Sequence, residues 1–406
     1  MFDIHSILSA LRRNKIAAAL IVAEIAVACA FLPNAVFVIF QQIQRVNITS
    51  GTAENEIVDV FVRGSPESST ESAGVDTEED ARLLAAIPGV RAVTFVNQVP
   101  FGGAEWRTGI MLQPDQKEEA INASMYMGSE GFLDTLGLRL IAGRSFHTEE
   151  FQWYSADTQV SSAILTRSAA QALFPGKSGV GEIIYIGNSS PVTVVGIVDV
   201  LLRPKFGTAE SSNFGFSIIL PLKVPYVDGS HYVMRSSEQL RAQVLQQAEA
   251  TLESRNSGRI LLALHSMQEL RSSFFQQERS MVRILVVVCF ALLTVTGLGI
   301  FGLTSVWMQR RAHQIGIRRA LGATRGQVIA HFMLENLTLA VAGIAAGITL
   351  AYTISTLLTQ NYALPRLPLF YLIAGLLAAL VLDQLSVLAA ALRAARIPPT
   401  QAIRAL

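Results

Sequence analysis

Charge is scarce in this sequence. Only 16% of its 406 residues are Asp, Glu, Lys or Arg, where soluble globular chains carry about 25%. With a net charge of +1, the shortage excludes a disordered chain, a basic nucleic-acid binder and an acidic-tail protein. Cysteine is nearly absent as well. Cys29 and Cys289 each fall in an apolar run, so a disulfide framework in the polar middle of the chain is excluded. His-x-x-x-His and paired-Cys metal spacings are missing, and so is a Gly-x-Ser-x-Gly elbow. The sequence therefore offers no catalytic residue and no metal site, which leaves an enzyme as the weakest functional class.

Apolar length takes the place of charge. Four stretches stand out: Ile16–Phe40, Ile284–Met308, Val328–Leu358 and Leu369–Leu392. Each exceeds the roughly 20 residues a helix needs to cross a bilayer core, and in lipid only helices or closed barrels satisfy the backbone. The first stretch follows Arg12, Arg13 and Lys15, as a signal peptide would. It is too long for a signal core of about 7–15 residues, so it reads as an uncleaved anchor. The expectation is an α-helical membrane protein with four transmembrane helices, one plus three. A large mixed α/β domain lies between helices 1 and 2. By residue number, 1–15 is a short terminus, 16–40 helix 1, 41–280 the inserted domain and 281–308 helix 2. The remainder divides into a loop at 309–327, helix 3 at 328–358, a loop at 359–368, helix 4 at 369–392 and a tail at 393–406.

The charges that remain are sorted along the chain. Residues 41–280 hold 19 Lys/Arg against 27 Asp/Glu, a net of −8; the rest hold 13 against 4, a net of +9. Four spans put both termini and the 309–327 connection on one side. That side carries eleven basic residues and one acid, Asp3. Lys and Arg in short flanking segments mark the cytoplasmic side, so the termini are expected inside, and the inserted domain and the 359–368 loop outside.

The inserted domain reads as alternating strands and helices. Ile57–Val62, Val90–Val96, Val192–Val198, Ser217–Leu220, Tyr232–Met234 and Ile260–Leu264 have strand character. Asp76–Ala86 and Glu238–Glu253 have helical character. Gly64–Gly74, rich in Ser, Glu and Gly, is expected to be a mobile linker. His147, His231 and His265 are scattered, as surface or packing histidines would be. Gly176-Lys177-Ser178 ends like a phosphate loop, but the Gly required five positions earlier is Gln171. Gly297-Leu298-Gly299-Ile300-Phe301-Gly302 fits a dinucleotide fingerprint inside a membrane span, where close helix packing is the better reading.

The 309–327 connection is the most specific segment. Gln309–Leu321 is compatible with a helix that puts Ile317, Ala320 and Leu321 on one face, with Arg311, Arg318 and Arg319 largely off it. Gly322 suits the position past a helix end, and Thr324 with Gln327 forms a capping-box pattern that starts the next helix. Its wording, Gln314-Ile315-Gly316-Ile317-Arg318-Arg319-Ala320-Leu321-Gly322-Ala323-Thr324-Arg325, resembles the hallmark segment of MacB/FtsX-type ABC transporter permeases. The resemblance continues through Phe332-Met333-Leu334-Glu335-Asn336. It also covers Tyr126–Phe146, Ala163–Val198 and the ending Pro398-Pro399-Thr400-Gln401-Ala402-Ile403-Arg404. Gln314 departs from the Glu common in the family, which weakens any role for a salt bridge at that position.

The resemblance implies the permease subunit of an ATP-driven exporter located in the bacterial inner membrane. Such a subunit works by mechanotransmission from a cytoplasmic ATPase to a periplasmic domain, for efflux or export of a small molecule or peptide. With no phosphate loop and about 15 residues before the first span, the ATPase is expected on a separate chain. ATP and Mg would bind there, and no cofactor would bind on this chain. The implied partners are that ATPase, a second permease as homodimer or heterodimer, and the lipid bilayer; an adaptor and an outer-membrane channel are compatible additions, and nucleic acid is not a partner. Gln314, Ile315, Ile317, Arg318, Arg319, Leu321, Gly322, Ala323 and Arg325 would couple to the ATPase. Gly297, Gly299 and Gly302 in span 2, and Gly343 with Gly347 in span 3, permit close helix approach. Glu24, Glu335 and Asp383 are the ionisable residues within spans. Each costs roughly 2.5–3.5 kcal/mol at a helix centre, and interfacial or inter-helix contacts are preferred to a proton relay. Asp383 lies deepest and has no partner evident in the sequence. Two alternatives remain: a lipoprotein-extracting ABC permease, and a membrane regulator that recruits or activates a cell-wall hydrolase.

Overall fold

The computed structural model describes residues 15–64, 70–114, 116, 118–155, 157–187, 190–205, 214–255, 259–311, 317, 322–362 and 366–395. It divides into two compact units. One is Ile48–Gln276; the other joins Met1–Asn47 with Gln277–Leu406. The inserted domain is thus narrower at both ends than the polar stretch 41–280. Helix hydrogen bonding does not stop where hydropathy falls, so residues 41–46 continue the first helix and 277–280 already belong to the second.

The first described element is α1 (Lys15–Val46), which passes through Pro33. The inserted domain then runs β1 (Ile57–Gly64), α2 (Thr70–Ala85), β2 (Val90–Val96), β3 (Arg107–Met111), β4 (Ile121–Met127), α3 (Phe132–Leu136) and β5 (Leu140–Gly143). It continues with β6 (Gln152–Trp153), β7 (Ser162–Thr166), α4 (Arg167–Leu173), β8 (Ile183–Ile186), β9 (Ser190–Val198), β10 (Ser217–Leu220) and β11 (Leu222–Lys223). Last come β12 (Ser230–Ser236), α5 (Arg241–Ser254), β13 (Arg259–Ser266) and α6 (Met267–Phe274).

Two large sheets organise this domain, and β6 and β11 pair in parallel as a small third. The first is antiparallel in the order β13-β1-β12-β2. Val58, Val60 and Val62 alternate on β1, so their side chains share one face, and they pack with Leu84 of α2 and with Val244, Ala248 and Leu252 of α5. The four-residue spacing of those α5 residues makes its apolar stripe. The second sheet is mixed, in the order β5-β9-β7-β10-β4-β3-β8, and β8 also pairs with β9. Six strands therefore close on themselves, which removes their free edges. Ile110, Ala163, Leu165, Ile184, Val192, Val194 and Ile218 fill their core. Two expectations change. The segment Gly64–Gly74 is not a linker throughout: α2 begins at Thr70 and buries Ala73 in the first core, while 65–69 lie outside the described residues. The helix expected at Glu238 starts as a 3-10 turn, Glu238–Leu240, and becomes α-helical at Arg241.

The membrane unit adds α7 (Gln276–Arg310), α8 (Arg325–Tyr362) and α9 (Leu369–Ala395) to α1. All four are long and apolar enough to cross a membrane. The 35 residues of α7 span about 52 Å at 1.5 Å per residue, so this helix extends well past the hydrocarbon. Ile21, Ile25 and Cys29 of α1 form a core with Ile300 and Trp307 of α7, Leu339 and Ala340 of α8, and Ala379 and Val387 of α9. Cys29 and Cys289 are both buried free thiols.

Candidate coupling segment and its anchorage

The connection between α7 and α8 is held where it leaves one helix and where it enters the next. Arg311, one residue past the end of α7, donates from Nη1 to both carboxylate oxygens of Glu335 on α8, each at 3.0 Å. The Glu335 side chain is 2% exposed. The Arg311 guanidinium also lies 4.8 Å from the ring centroid of Trp307, within the reach of a cation–π contact. A charge pair removed from water needs this quality of contact to offset its desolvation.

At the other end, the Thr324 backbone N–H donates to Gln327 Oε1 at 3.0 Å, and the Gln327 N–H donates to Thr324 Oγ1 at 3.3 Å. This reciprocal pair satisfies two of the amides that a helix start leaves open. Gly322 has φ +100°, a conformation that L side chains rarely adopt. Ile317 is exposed, Ala323 half-buried and Arg325 exposed. Gln314, Ile315, Arg318, Arg319 and Leu321 lie outside the described residues.

The span glycines have distinct neighbours. A Cβ on Gly343 would stand 2.8 Å from Ile25 Cβ, and one on Gly347 2.5 Å from Cys29 Cβ and 3.0 Å from the Ala26 carbonyl oxygen. Both glycines therefore admit α1 of the same chain against α8. Gly299 meets the Glu24 carboxylate, at 2.2 Å from a built Cβ. Gly297 makes ordinary contact with Ser386 and Leu382, and Gly302 has no atom within 4 Å. Gly375 of α9, not singled out in the sequence, makes room for the Pro33 ring, which a built Cβ would approach to 2.6 Å.

Asp383 does have a partner. Asn336 Nδ2 donates to its two oxygens at 2.7 and 2.8 Å, and Gln384 Nε2 donates at 3.0 Å. Asp383 is 0% and Asn336 3% exposed. Asn336 and Arg311 are the residues that motif reading missed as partners. Asn336 is 47 positions from Asp383 and Arg311 is 24 from Glu335, separations at which no helical periodicity applies. In the bundle, Asn34 Nδ2 also donates to the Ala351 carbonyl oxygen, 3.2 Å away on α8.

The inserted domain carries its own ionic sites. Arg203 Nε donates to Glu105 Oε1 at 2.7 Å, with side chains 3% and 5% exposed. Burial pushes the Glu105 carboxyl up, but hydrogen bonds from Arg203, Ser124 and Arg107 outweigh it and hold it below the usual carboxylate range. Arg144 binds Glu150 through two nitrogens at 2.7 and 3.0 Å. That contact first, helped by the His147 N–H, brings the Glu150 carboxyl to about 2. His231 Nδ1 lies 2.9 Å from buried Asp59 and its ring stacks on Phe61. Gly176-Lys177-Ser178 follows α4 rather than preceding a helix, and Lys177 pairs with Glu182 at 3.4 Å. That placement lacks the strand–loop–helix frame of a phosphate loop. Among the described residues no group of three His, Cys, Asp or Glu side chains could hold a metal ion.

Comparison with known proteins adds the family context. Residues 25–259 match the MacB-like periplasmic core domain, and residues 286–399 match the FtsX-like permease C-terminal region. An uncharacterized ABC transporter permease, YknZ of Bacillus subtilis, is 24% identical over 364 residues, covering 85% of this chain and 83% of that protein. The macrolide export ATP-binding/permease protein MacB of Chromobacterium violaceum is 25% identical over 235 residues, 58% of this chain. The match spans 36% of that protein's length. The periplasmic region of MacB from Actinobacillus actinomycetemcomitans aligns with 57% of this chain and 97% of its own, at 15% identity and a TM-score of 0.33.

Proposed function

This chain belongs to the MacB/FtsX-type family of ABC transporter permeases, and we propose that it moves its inserted domain in response to ATP binding by a separate cytoplasmic ATPase. Family membership makes it an inner-membrane permease subunit that partners an ATPase subunit. The proposal adds direction and route. Both termini and the 309–327 connection face the cytoplasm, the inserted domain faces the periplasm, and two permease subunits work as a pair. The cargo is a small molecule or peptide exported without a passage through this chain.

One observation supports this reading above the others. The basic connection is tied at both ends to α8, by Arg311–Glu335 and by the Thr324–Gln327 cap. A push on 312–323 would reach α8 without being absorbed at the roots of the loop. The close fit of Gly343 and Gly347 against α1 would carry it onward, because packed interfaces do not deform continuously. Charge reversal of Arg318 and Arg319 to Glu tests the route in the assembled transporter. ATP hydrolysis without export, in a protein that still inserts, is the expected result. Export and hydrolysis coupled as in the parent would contradict it.

A further inference from the structure

The first and second membrane helices leave a cleft where α1 begins at Lys15 and α7 ends at Arg310. Its volume is about 360 Å³, within the range of small-ligand sites. Leu20, Leu303, Val306 and Trp307 line it, with Lys15 and Arg310 at the helix ends. Trp307 is 6% exposed, while Leu20 and Val306 are each 51% exposed, so the cleft has a covered floor and open flanks. Leu20 lies about 7 Å along its helix from Lys15, and Leu303 about 10 Å from Arg310, at the helical rise. The cleft is therefore cationic at the helix ends and apolar one to two turns deeper. The neighbouring Arg311 is neutralised by Glu335. Among the described residues, Lys15 and Arg310 form no ion pair.

An occupant must present an anion at the rim and hydrocarbon along the walls. We propose that this cleft binds an anionic phospholipid, with its phosphate between Lys15 and Arg310 and an acyl chain against Leu20, Leu303 and Trp307. Basic pockets between membrane helices suit such headgroups. A helix from a second copy would cover the apolar walls but leave two cations facing an apolar segment, which is costly in lipid. Arg310 lies at the root of the 309–327 connection, but none of the lining residues is among those expected to contact the ATPase.

Native mass spectrometry of the full-length protein in detergent tests the proposal, with phosphatidylglycerol and phosphatidylcholine of identical chains titrated separately. The parent should bind phosphatidylglycerol more tightly. Lys15→Gln and Arg310→Gln should each weaken that preference about fivefold, and both exposed substitutions should leave the elution volume unchanged. Leu303→Trp, which fills the wall, should weaken both lipids. Equal binding of the two lipids by the parent would overturn the proposal, as would a preference retained in the double variant. A Leu20→Cys protein that cross-links to a second copy and excludes phosphatidylglycerol would also overturn it.

Discussion

The inserted domain and the membrane unit use the same charged groups in different surroundings. In the domain, Glu105 receives Arg203, Arg107 and Ser124 together, and Lys223 bridges Glu78 and Glu130 at 3.0 and 2.9 Å. Several partners, and water at the rim, share each charge. In the membrane unit, Glu335 is 2% exposed and its described cation is Arg311 alone, while Asp383 relies on amide donors. A lost partner in the domain leaves others in place. A lost partner in the bundle leaves a charge in a medium that solvates it poorly.

The largest effect should follow from Arg311→Ala, which strands Glu335. Removing one member of a buried pair costs roughly 3–5 kcal/mol, to be read from SDS-induced unfolding of the helices, and the exchange Arg311→Glu with Glu335→Arg should recover part of it. Arg203→Ala sharpens the contrast. Glu105 keeps Arg107 and Ser124, so the loss should stay at about 1.5–3 kcal/mol, measured by thermal unfolding of the domain's signal in the full chain. Gly347→Val should cost about 1–3 kcal/mol through overpacking against Cys29 and Ala26, whereas Gly302→Val, with no atom within 4 Å of its built Cβ, should be close to neutral by the same unfolding assay.

The smallest effect concerns Arg144 and Glu150, whose pair is partly exposed and is worth at most about 1 kcal/mol. Its pH dependence is nonetheless specific. The folded carboxyl titrates near 2, below the roughly 4.3 of an unfolded Glu. Its contribution is therefore present above about 4.3 and lost as pH falls towards 2. The protection of the amides of residues 147–151, taken relative to the intrinsic exchange rate at each pH, should fall across that window in the parent and show a flatter dependence in Glu150→Gln.

How much of this was legible in the sequence depended on whether the signal was local. The four spans are one-dimensional patterns, and their apolar runs locate α1, α7, α8 and α9 directly. The cap at Thr324 and the turn at Gly322 were also legible, because each depends on neighbours within three residues. Strands such as β7 were not: Ser162–Thr166 is buried at every position, so it lacks the alternation that marks a half-buried strand. The short β8 likewise depends on pairing within the closed sheet, and β5 on pairing with β9 beside it. Among the site residues, the glycine spacing at Gly343 and Gly347 signalled close packing, but not that α1 of the same chain fills it. Asp383 looked partnerless because Asn336 reaches it only once α8 and α9 pack together.

The proposed function requires the basic connection between the second and third helices to lie on the cytoplasmic side, opposite the inserted domain. Labelling of single cysteines in spheroplasts with a membrane-impermeant maleimide tests it most directly, in a background lacking Cys29 and Cys289. Gln239→Cys, at an exposed position of the inserted domain, should label in intact spheroplasts. Ala320→Cys should label only after permeabilisation. Labelling of Ala320→Cys in intact spheroplasts would place the connection outside and contradict the account.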